Sequence, residues 1–303
     1  VKTGTIAALG VGGILVGLVV GTMLWVYLRP LSVYAWMGRR TLRAVKVADV
    51  AVETPAGRQR AFVGGSGPVL VLLHGAGDQA GAWSRVVPAL VRTHSLIVPD
   101  LAGHGESEPR TGPVGVDRVL AGAEGVIETL AQGRRVTLVG NSLGAWIAML
   151  VAHRHPEWIE RVVAVNGGAL KGSNAEAVVV PKSLTEARAA LAQLRDAGSP
   201  PVPDFVLRDV VREAANGSLA RFVATADSME QWTLDGRLGE IRAPVTLLWG
   251  ASDKVMPLEY ANRMLAELPS ARLVTLERCG HVPQTECPDK LLAALRDVLE
   301  AKP

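Results

Sequence analysis

The chain has 303 residues, 49% of them hydrophobic, so it can bury one large core plus an insertion. Its formal charge of +3 is unevenly spread: residues 1–46 hold six basic residues and no acid, which leaves −3 for residues 47–303. The globular part is mildly acidic, and nothing in it suggests a nucleic-acid surface.

The first element is the run Thr5–Leu28, which contains no ionisable residue. As a helix its 24 residues extend about 36 Å, enough to cross a hydrocarbon layer of ~30 Å. Trp25, Tyr27, Tyr34 and Trp36 gather at its carboxyl end, as residues at a membrane interface do. No small-residue cleavage site follows, so the run predicts a single transmembrane anchor rather than a cleaved signal peptide. Only Lys2 precedes the span, whereas Arg29, Arg39, Arg40, Arg43 and Lys46 follow it. That asymmetry predicts a cytoplasmic domain. Gly13, Gly17 and Gly21 form overlapping G-x-x-x-G units, a spacing that lets two helices approach and so suggests a weak dimer. The predicted organisation is an anchor (about 5–28) and basic juxtamembrane segment over 1–46, then one globular domain over 47–303.

Val47–Val52 and Gln59–Val63 predict an antiparallel hairpin closed by the turn Pro55-Ala56-Gly57. Pro68–Leu73 reads as a strand running into the Gly-rich loop His74-Gly75-Ala76-Gly77-Asp78. Leu96–Asp100 is the next parallel strand, followed by the turn Gly103-His104-Gly105, and Val116–Leu130 a crossover helix. Asp100 and His104 are expected to make local hydrogen bonds in that turn.

Arg135–Val139 then feeds Gly140-Asn141-Ser142-Leu143-Gly144, and a helix-forming run, Ala145–Leu150, leaves it. A strand that turns at once into a helix strains its corner residue. Gly140 and Gly144 lack the side chains that would collide there, and Ser142 is exposed at a helix N-terminus that favours developing negative charge. His153 and His155, at the end of that helix, are expected to be surface or supporting groups. Arg161–Asn166 is a further strand.

Between Gly168 and Ala243 the strand signal disappears. Three helical runs, near Leu184–Ala197, Asp204–Ala215 and Leu219–Gln231, predict a cap over about 169–242. Val178–Val180, Phe205, Phe222 and Met229 are candidates for its lining or its own core.

Val245–Trp249 and Arg272–Leu276 predict two more buried strands, each followed by a loop with a titratable residue: Asp253 after the first, His281 after the second. A serine hydroxyl needs a base held by a carboxylate, in the chain order Ser, acid, His on this kind of sheet. The predicted assignment is Ser142 as nucleophile, His281 as general base and then acid, and Asp253 as the group orienting the imidazole. Asn166, at the end of its strand, is an amide and cannot compensate an imidazolium charge. The backbone N–H groups of Ala76 and Leu143 are the expected oxyanion donors, and His74 is expected to brace its loop. Trp83 and Trp249 read as core or pocket wall. Cys279 and Cys287, the only cysteines, flank His281 without metal-ligand spacing. They can clip that loop in an oxidising compartment, although two thiols in a core-rich enzyme need no bridge. No cluster of His and acids has metal spacing and no G-x-G-x-x-G opens a helix after a strand, so neither a metal nor a nucleotide cofactor is expected.

With these motifs in this order, the chain resembles an α/β-hydrolase from about residue 47 to its end: a mostly parallel sheet flanked by helices, with a helical cap. Together with the N-terminal run it resembles the membrane-anchored monoacylglycerol lipase and esterase branch. That resemblance implies a serine hydrolase acting on monoacylglycerols or other lipid-like esters. The meta-cleavage-product hydrolases, which break C–C bonds with the same triad, carry a similar pattern. A third reading is a catalytically silent, membrane-tethered binding protein, which usually lacks a triad member. Relatives that are dehalogenases or epoxide hydrolases place an aspartate where Ser142 stands.

Overall fold

Side-chain alternation along Val69–Leu73 decides the architecture. Leu70 and Leu72 join one buried cluster, Val69, Val71 and Leu73 another, so this strand carries a packed layer on each face. The computed structural model of the chain describes residues 2–45, 47–172 and 180–301, with side chains from residue 15 onward. Val178 and Val179, Lys46 and the surroundings of Gly13 lie outside the described residues.

Among the described residues, eight strands form one sheet: β1 (Ala48–Thr54), β2 (Gly57–Gly64), β3 (Val69–Leu73), β4 (Ser95–Pro99), β5 (Val136–Asn141), β6 (Ile159–Val165), β7 (Val245–Gly250) and β8 (Arg272–Leu276). Their order is β1-β2-β4-β3-β5-β6-β7-β8. The predicted hairpin is β1–β2, with Thr54 facing Gly57 at the turn. β2 runs antiparallel to β4, and every later pairing is parallel. The carboxyl ends of the parallel strands therefore share one edge.

The helices, in chain order, are α1 (Lys2–Leu28), α2 (Pro30–Ala44), α3 (Val87–Leu90), α4 (Val116–Ala131), α5 (Leu143–Arg154), α6 (Leu184–Leu194), α7 (Asp204–Asn216), α8 (Ser218–Val223), α9 (Leu258–Glu267), α10 (Pro283–Glu286) and α11 (Pro288–Glu300). Residues of α4, α5 and α9 cover one face of the sheet, and residues of α2, α3 and α11 the other.

The place of α2 corrects the expectation that residues 1–46 stand apart from the globular domain. Its Leu42 is fully buried with Phe62, Leu70, Leu72 and Trp83. Gly38 lies so close to the chain at Gly81 that a Cβ would sit 2.7 Å from the Gly81 carbonyl oxygen. Arg39 is buried against Asp100. The packed unit thus includes α2 from Pro30, and the basic juxtamembrane segment holds a core helix.

α1 meets α2 at 106°. Pro30 occupies the first turn of α2, where its missing N–H costs nothing but its ring prevents the preceding helix from running straight on. Within the residues described with side chains, no single helix is long and apolar enough to cross a membrane; Leu15–Leu28 and Pro30–Ala44 together meet the criterion, but as a bent pair. Leu15 to Leu28 is exposed throughout.

The cap lies between β6 and β7. Its third predicted helix is broken: α8 ends at Val223 and a 3₁₀ segment runs Ala226–Trp232. Thr225 Oγ1 donates to Phe222 O (2.7 Å) and Ser228 Oγ to Thr225 O (2.8 Å), so hydroxyls compete with the helical ladder where the break occurs.

Candidate active site

β5 delivers Ser142 at the sheet edge with φ 53° and ψ −116°, a left-handed conformation unusual for a residue with a side chain. The two flanking glycines are required by contact. A Cβ on Gly140 would lie 2.5 Å from Ala145 N, and one on Gly144 would lie 2.8 Å from His74 O. Ser142 N donates to Val165 O (2.9 Å), which fixes the corner to β6. Leu143 is the first residue of α5, so its N–H has no acceptor within the helix.

The loop after β3 passes directly beside this corner: an added Cβ on Gly75 would be 3.4 Å from Ser142 Cβ. Ala76 follows Gly75 on that loop. His74 braces it. Its Nε2 accepts from Leu101 N (2.9 Å), which leaves Nδ1 to donate to Gly75 O (2.8 Å). Burial lowers the His74 pKa to about 4, so the ring stays neutral. His104 is likewise buried; desolvation and the neighbouring His74 hold its pKa at about 3. Desolvation pushes the Asp78 carboxyl up to about 7, with the Asp100 charge adding to it and the Gln79 N–H opposing it. Asp100 accepts from Glu106 N (2.8 Å) within its turn, as expected, and also from Arg39 and Ala80 N (2.7 Å), which lie far along the chain.

The structure brings Asp253 and His281 together. Asp253 Oδ2 lies 2.7 Å from His281 Nδ1, and both residues are only 5% exposed. Asp253 Oδ1 accepts from Val255 N and Met256 N, each at 2.9 Å. Trp249, fully buried at the end of β7, holds this loop through Nε1–H to Met256 O (2.8 Å). A carboxylate oxygen facing Nδ1 accepts, so Nδ1 carries the proton, and among the described residues no hydrogen bond engages Nε2.

Every backbone polar group of Gly280 and His281 is engaged. Gly280 N donates to Glu286 Oε2 (2.5 Å) and His281 N to Leu194 O (2.7 Å). Gly280 O accepts from Asn166 Nδ2 (2.7 Å) and His281 O from Asn141 Nδ2 (2.8 Å). Asn166 Oδ1 in turn accepts from Gly250 N (2.7 Å), so one amide joins the acid loop to the histidine loop. An aspartate there could accept but not donate to Gly280 O. Sequence reasoning saw Asn166 only as a missing charge, and it overlooked Gln284, which donates to Asn141 Oδ1 (2.9 Å). The available signal was a buried amide at the ends of two neighbouring parallel strands, where only a group that both donates and accepts can link two loops. Cys279 and Cys287 form a disulfide across the same loop, with Cα atoms 6.0 Å apart.

Other candidates stand elsewhere. His153 pairs with Glu240 (2.7 Å), and His155 pairs with Glu124 (3.2 Å) and stacks on Trp158. Trp83 is fully buried in the core. Among the described residues no group of three or more His, Cys, Asp or Glu is placed to hold a metal.

The cap lies over the carboxyl edge. A Cβ on Gly77 would lie 3.1 Å from Leu219, Arg221 reaches Pro109 O (2.9 Å), and Ser252 Oγ donates to Asp196 (2.5 Å). Phe222 is buried in the cluster beneath the cap and Met229 packs against it. Phe205 instead stacks on Tyr27 of α1, away from any lining role. A cavity of about 530 Å³, lined by Asp196, Gly198, Ser199, Pro200, Arg278 and Glu286, opens behind the histidine loop and has none of Ser142, Asp253 or His281 in its wall.

A model of the Alpha/beta hydrolase family matches residues 70–295. The chain belongs to the α/β-hydrolase family. An uncharacterized protein of Mycobacterium tuberculosis is 29% identical over 281 residues, covering 84% of this chain and 82% of its own. The 2-hydroxy-6-oxo-6-phenylhexa-2,4-dienoate hydrolase of Burkholderia cepacia is 28% identical over 244 residues, covering 74% of this chain and 85% of its own. Among solved structures, a membrane phospholipase A described as a bacterial virulence factor superposes with a TM-score of 0.77 at 24% identity, over 97% of this chain and 98% of that one. This hydrolase therefore shares its fold with that structure over nearly its whole length.

Proposed function

We propose that this hydrolase is a membrane-anchored serine hydrolase that cleaves carboxylic esters of lipid-like substrates. The observation that carries the reading is the pairing of a strained, glycine-flanked Ser142 with the buried Asp253–His281 hydrogen bond on the same sheet edge. In the proposed reaction Ser142 Oγ attacks the ester carbonyl carbon while His281 Nε2 takes its proton. The tetrahedral oxyanion is held by the N–H groups of Ala76 and Leu143. Collapse expels the alcohol, protonated by His281, and leaves an acyl-serine. Water, deprotonated by His281, then releases the acid. Asp253 keeps the imidazole in its Nδ1–H tautomer and faces the imidazolium as it forms. No group beyond these residues and water enters.

The anchor is supported by the exposed apolar surface of α1, which is larger than water-soluble monomers leave uncovered. The fold shared with the membrane phospholipase A over nearly the whole chain supports it as well. A second reading, C–C bond hydrolysis by the same residues, is favoured by the similarity to the phenylhexadienoate hydrolase. Steady-state assays of the purified full chain on aryl esters of graded acyl length and on a vinylogous diketone acid separate the two. The proposal expects ester turnover and no cleavage of the diketone. Cleavage of the diketone with no ester turnover would replace it with the second reading.

A further inference from the structure

α2 shows the domain one face and turns the other outward. Gly38, Arg39 and Leu42 are buried, whereas Trp36, Met37 and Arg40, one turn apart on the opposite side, are exposed. Trp36 and Met37 are 46% and 57% exposed, and the Arg40 guanidinium lies over the Trp36 ring. A tryptophan, a methionine and an arginine on one exposed helical face suit the boundary between headgroups and acyl chains.

Two contacts fix how this face is oriented. Trp25 of α1 packs edge-on against Trp36, with ring centroids 6.0 Å apart, so α1 leaves α2 on the side of that outward face. The 106° angle between the helices then decides the rest. If α1 runs into the bilayer, α2 lies almost parallel to its surface, with Trp36 and Met37 directed toward it.

The cap is fastened to the same corner. Asp209 of α7, itself buried, accepts from Leu31 N (2.9 Å) in the first turn of α2. Phe205 stacks on Tyr27, and Arg208 donates to the Tyr27 hydroxyl (3.2 Å). α7 is therefore held at the level of the last turn of α1. Neither Arg40 nor Arg208 has a carboxylate partner among the described residues, and both are exposed there.

From this arrangement we infer that the outward face of α2, together with the Arg208 edge of α7, is seated on an anionic phospholipid surface, which sets the cap at the headgroup layer and lets the enzyme draw bilayer-resident lipid esters. The inference rests on the reading of α1 as a membrane anchor. Basic side chains supply attraction to anionic headgroups that zwitterionic lipid lacks, and apolar ones supply insertion. A substrate taken at the headgroup layer avoids a passage through bulk water that a lipid ester resists.

The test uses the full chain reconstituted in phosphatidylglycerol-containing and in purely phosphatidylcholine vesicles. Phospholipid brominated near the headgroup end of its acyl chains should quench tryptophan emission in the wild-type protein, and the Trp36→Phe variant should lose part of that quenching. The double variant Trp36→Glu, Met37→Glu should stay vesicle-bound through α1. It should turn over vesicle-borne monoacylglycerol roughly tenfold more slowly and keep its rate on a soluble aryl ester within about twofold. Arg40→Glu with Arg208→Glu should slow the reaction in phosphatidylglycerol vesicles only. Identical quenching in the wild-type and Trp36→Phe proteins, or unchanged lipid turnover in the double variant, would overturn the inference. A wild-type protein that hydrolyses neither substrate would instead refute the catalytic reading, and the quenching comparison would still decide where α2 lies.

Discussion

Asp253 uses its two carboxylate oxygens for different tasks: Oδ1 is held by two loop N–H groups and Oδ2 faces His281. Replacing it by asparagine preserves the first task and defeats the second, because an amide N–H facing Nδ1 selects the other tautomer. Asp253→Asn should lower kcat by roughly 10³-fold or more with little change in melting temperature. Asp100→Asn should do the reverse, losing stability by removing the buried one of Arg39's two carboxylate partners and leaving it only Glu106, while kcat per folded molecule stays within about threefold. Equal kinetic losses at the two positions would show that the wrong acid has been named. The buried histidines set a pH dependence of folding. His74 and His104 titrate at about 4 and about 3 in the fold against an ordinary 6.5. The unfolded chain therefore binds their protons first, and their contribution, full above pH 6.5, is lost as pH falls toward 4 and then 3. Asp78, raised to about 7, acts in the opposite sense over the range below neutrality. Urea titrations should show a shallower acid loss for His104→Gln than for the wild type; identical slopes would mean the ring is not held neutral. The strained corner at Ser142 and the Asp253–His281 hydrogen bond were legible because each residue sits in a short local pattern. The tasks of Asn166 and Arg39 were not, since their partners Gly280 and Asp100 lie 114 and 61 residues away and nothing local names them.

Most strands announce themselves in this chain by β-branched and apolar runs, and all eight fall where the pattern puts them to within two residues at either end. α2 was missed because its three arginines suggested a basic juxtamembrane segment, although Pro30 at its first position and the Gly38–Leu42 spacing were visible signals. What the pattern could not supply was the destination of Arg39. Arg39→Ala should cost about 3 kcal/mol, the penalty for stranding a buried carboxylate. The same logic separates two truncations. A chain lacking residues 1–28 loses the Tyr27–Phe205 stack and the Leu28 carbonyl that accepts from Arg212, both at the surface, and should still fold. A chain lacking residues 1–46 also loses buried Leu42 and Arg39 and should melt far lower or aggregate. Thermal unfolding followed by circular dichroism compares them; equal melting temperatures would mean that α2 does not belong to the packed unit.

Over the whole molecule, if the chain is anchored as proposed, two signals point to opposite sides of the membrane. Basic residues after α1 favour a cytoplasmic domain, whereas the Cys279–Cys287 disulfide belongs to an oxidising compartment. Protein denatured in the presence of a maleimide should remain unlabelled before reduction and take two labels after it; two labels without reduction would return the domain to the cytoplasmic side. The disulfide, the two asparagines and Glu286 all converge on the loop that carries His281, and the cap lies over the same edge, so the proposed catalysis rests on an imidazole whose loop is fastened from several elements. The most direct measurement of that claim is covalent labelling of the full chain with a fluorophosphonate, followed by peptide mass spectrometry. The account predicts stoichiometric modification on Ser142, strong slowing in Asp253→Asn, and none in a folded Ser142→Ala protein; absence of labelling in the folded wild type, or labelling that persists in Ser142→Ala, would contradict it.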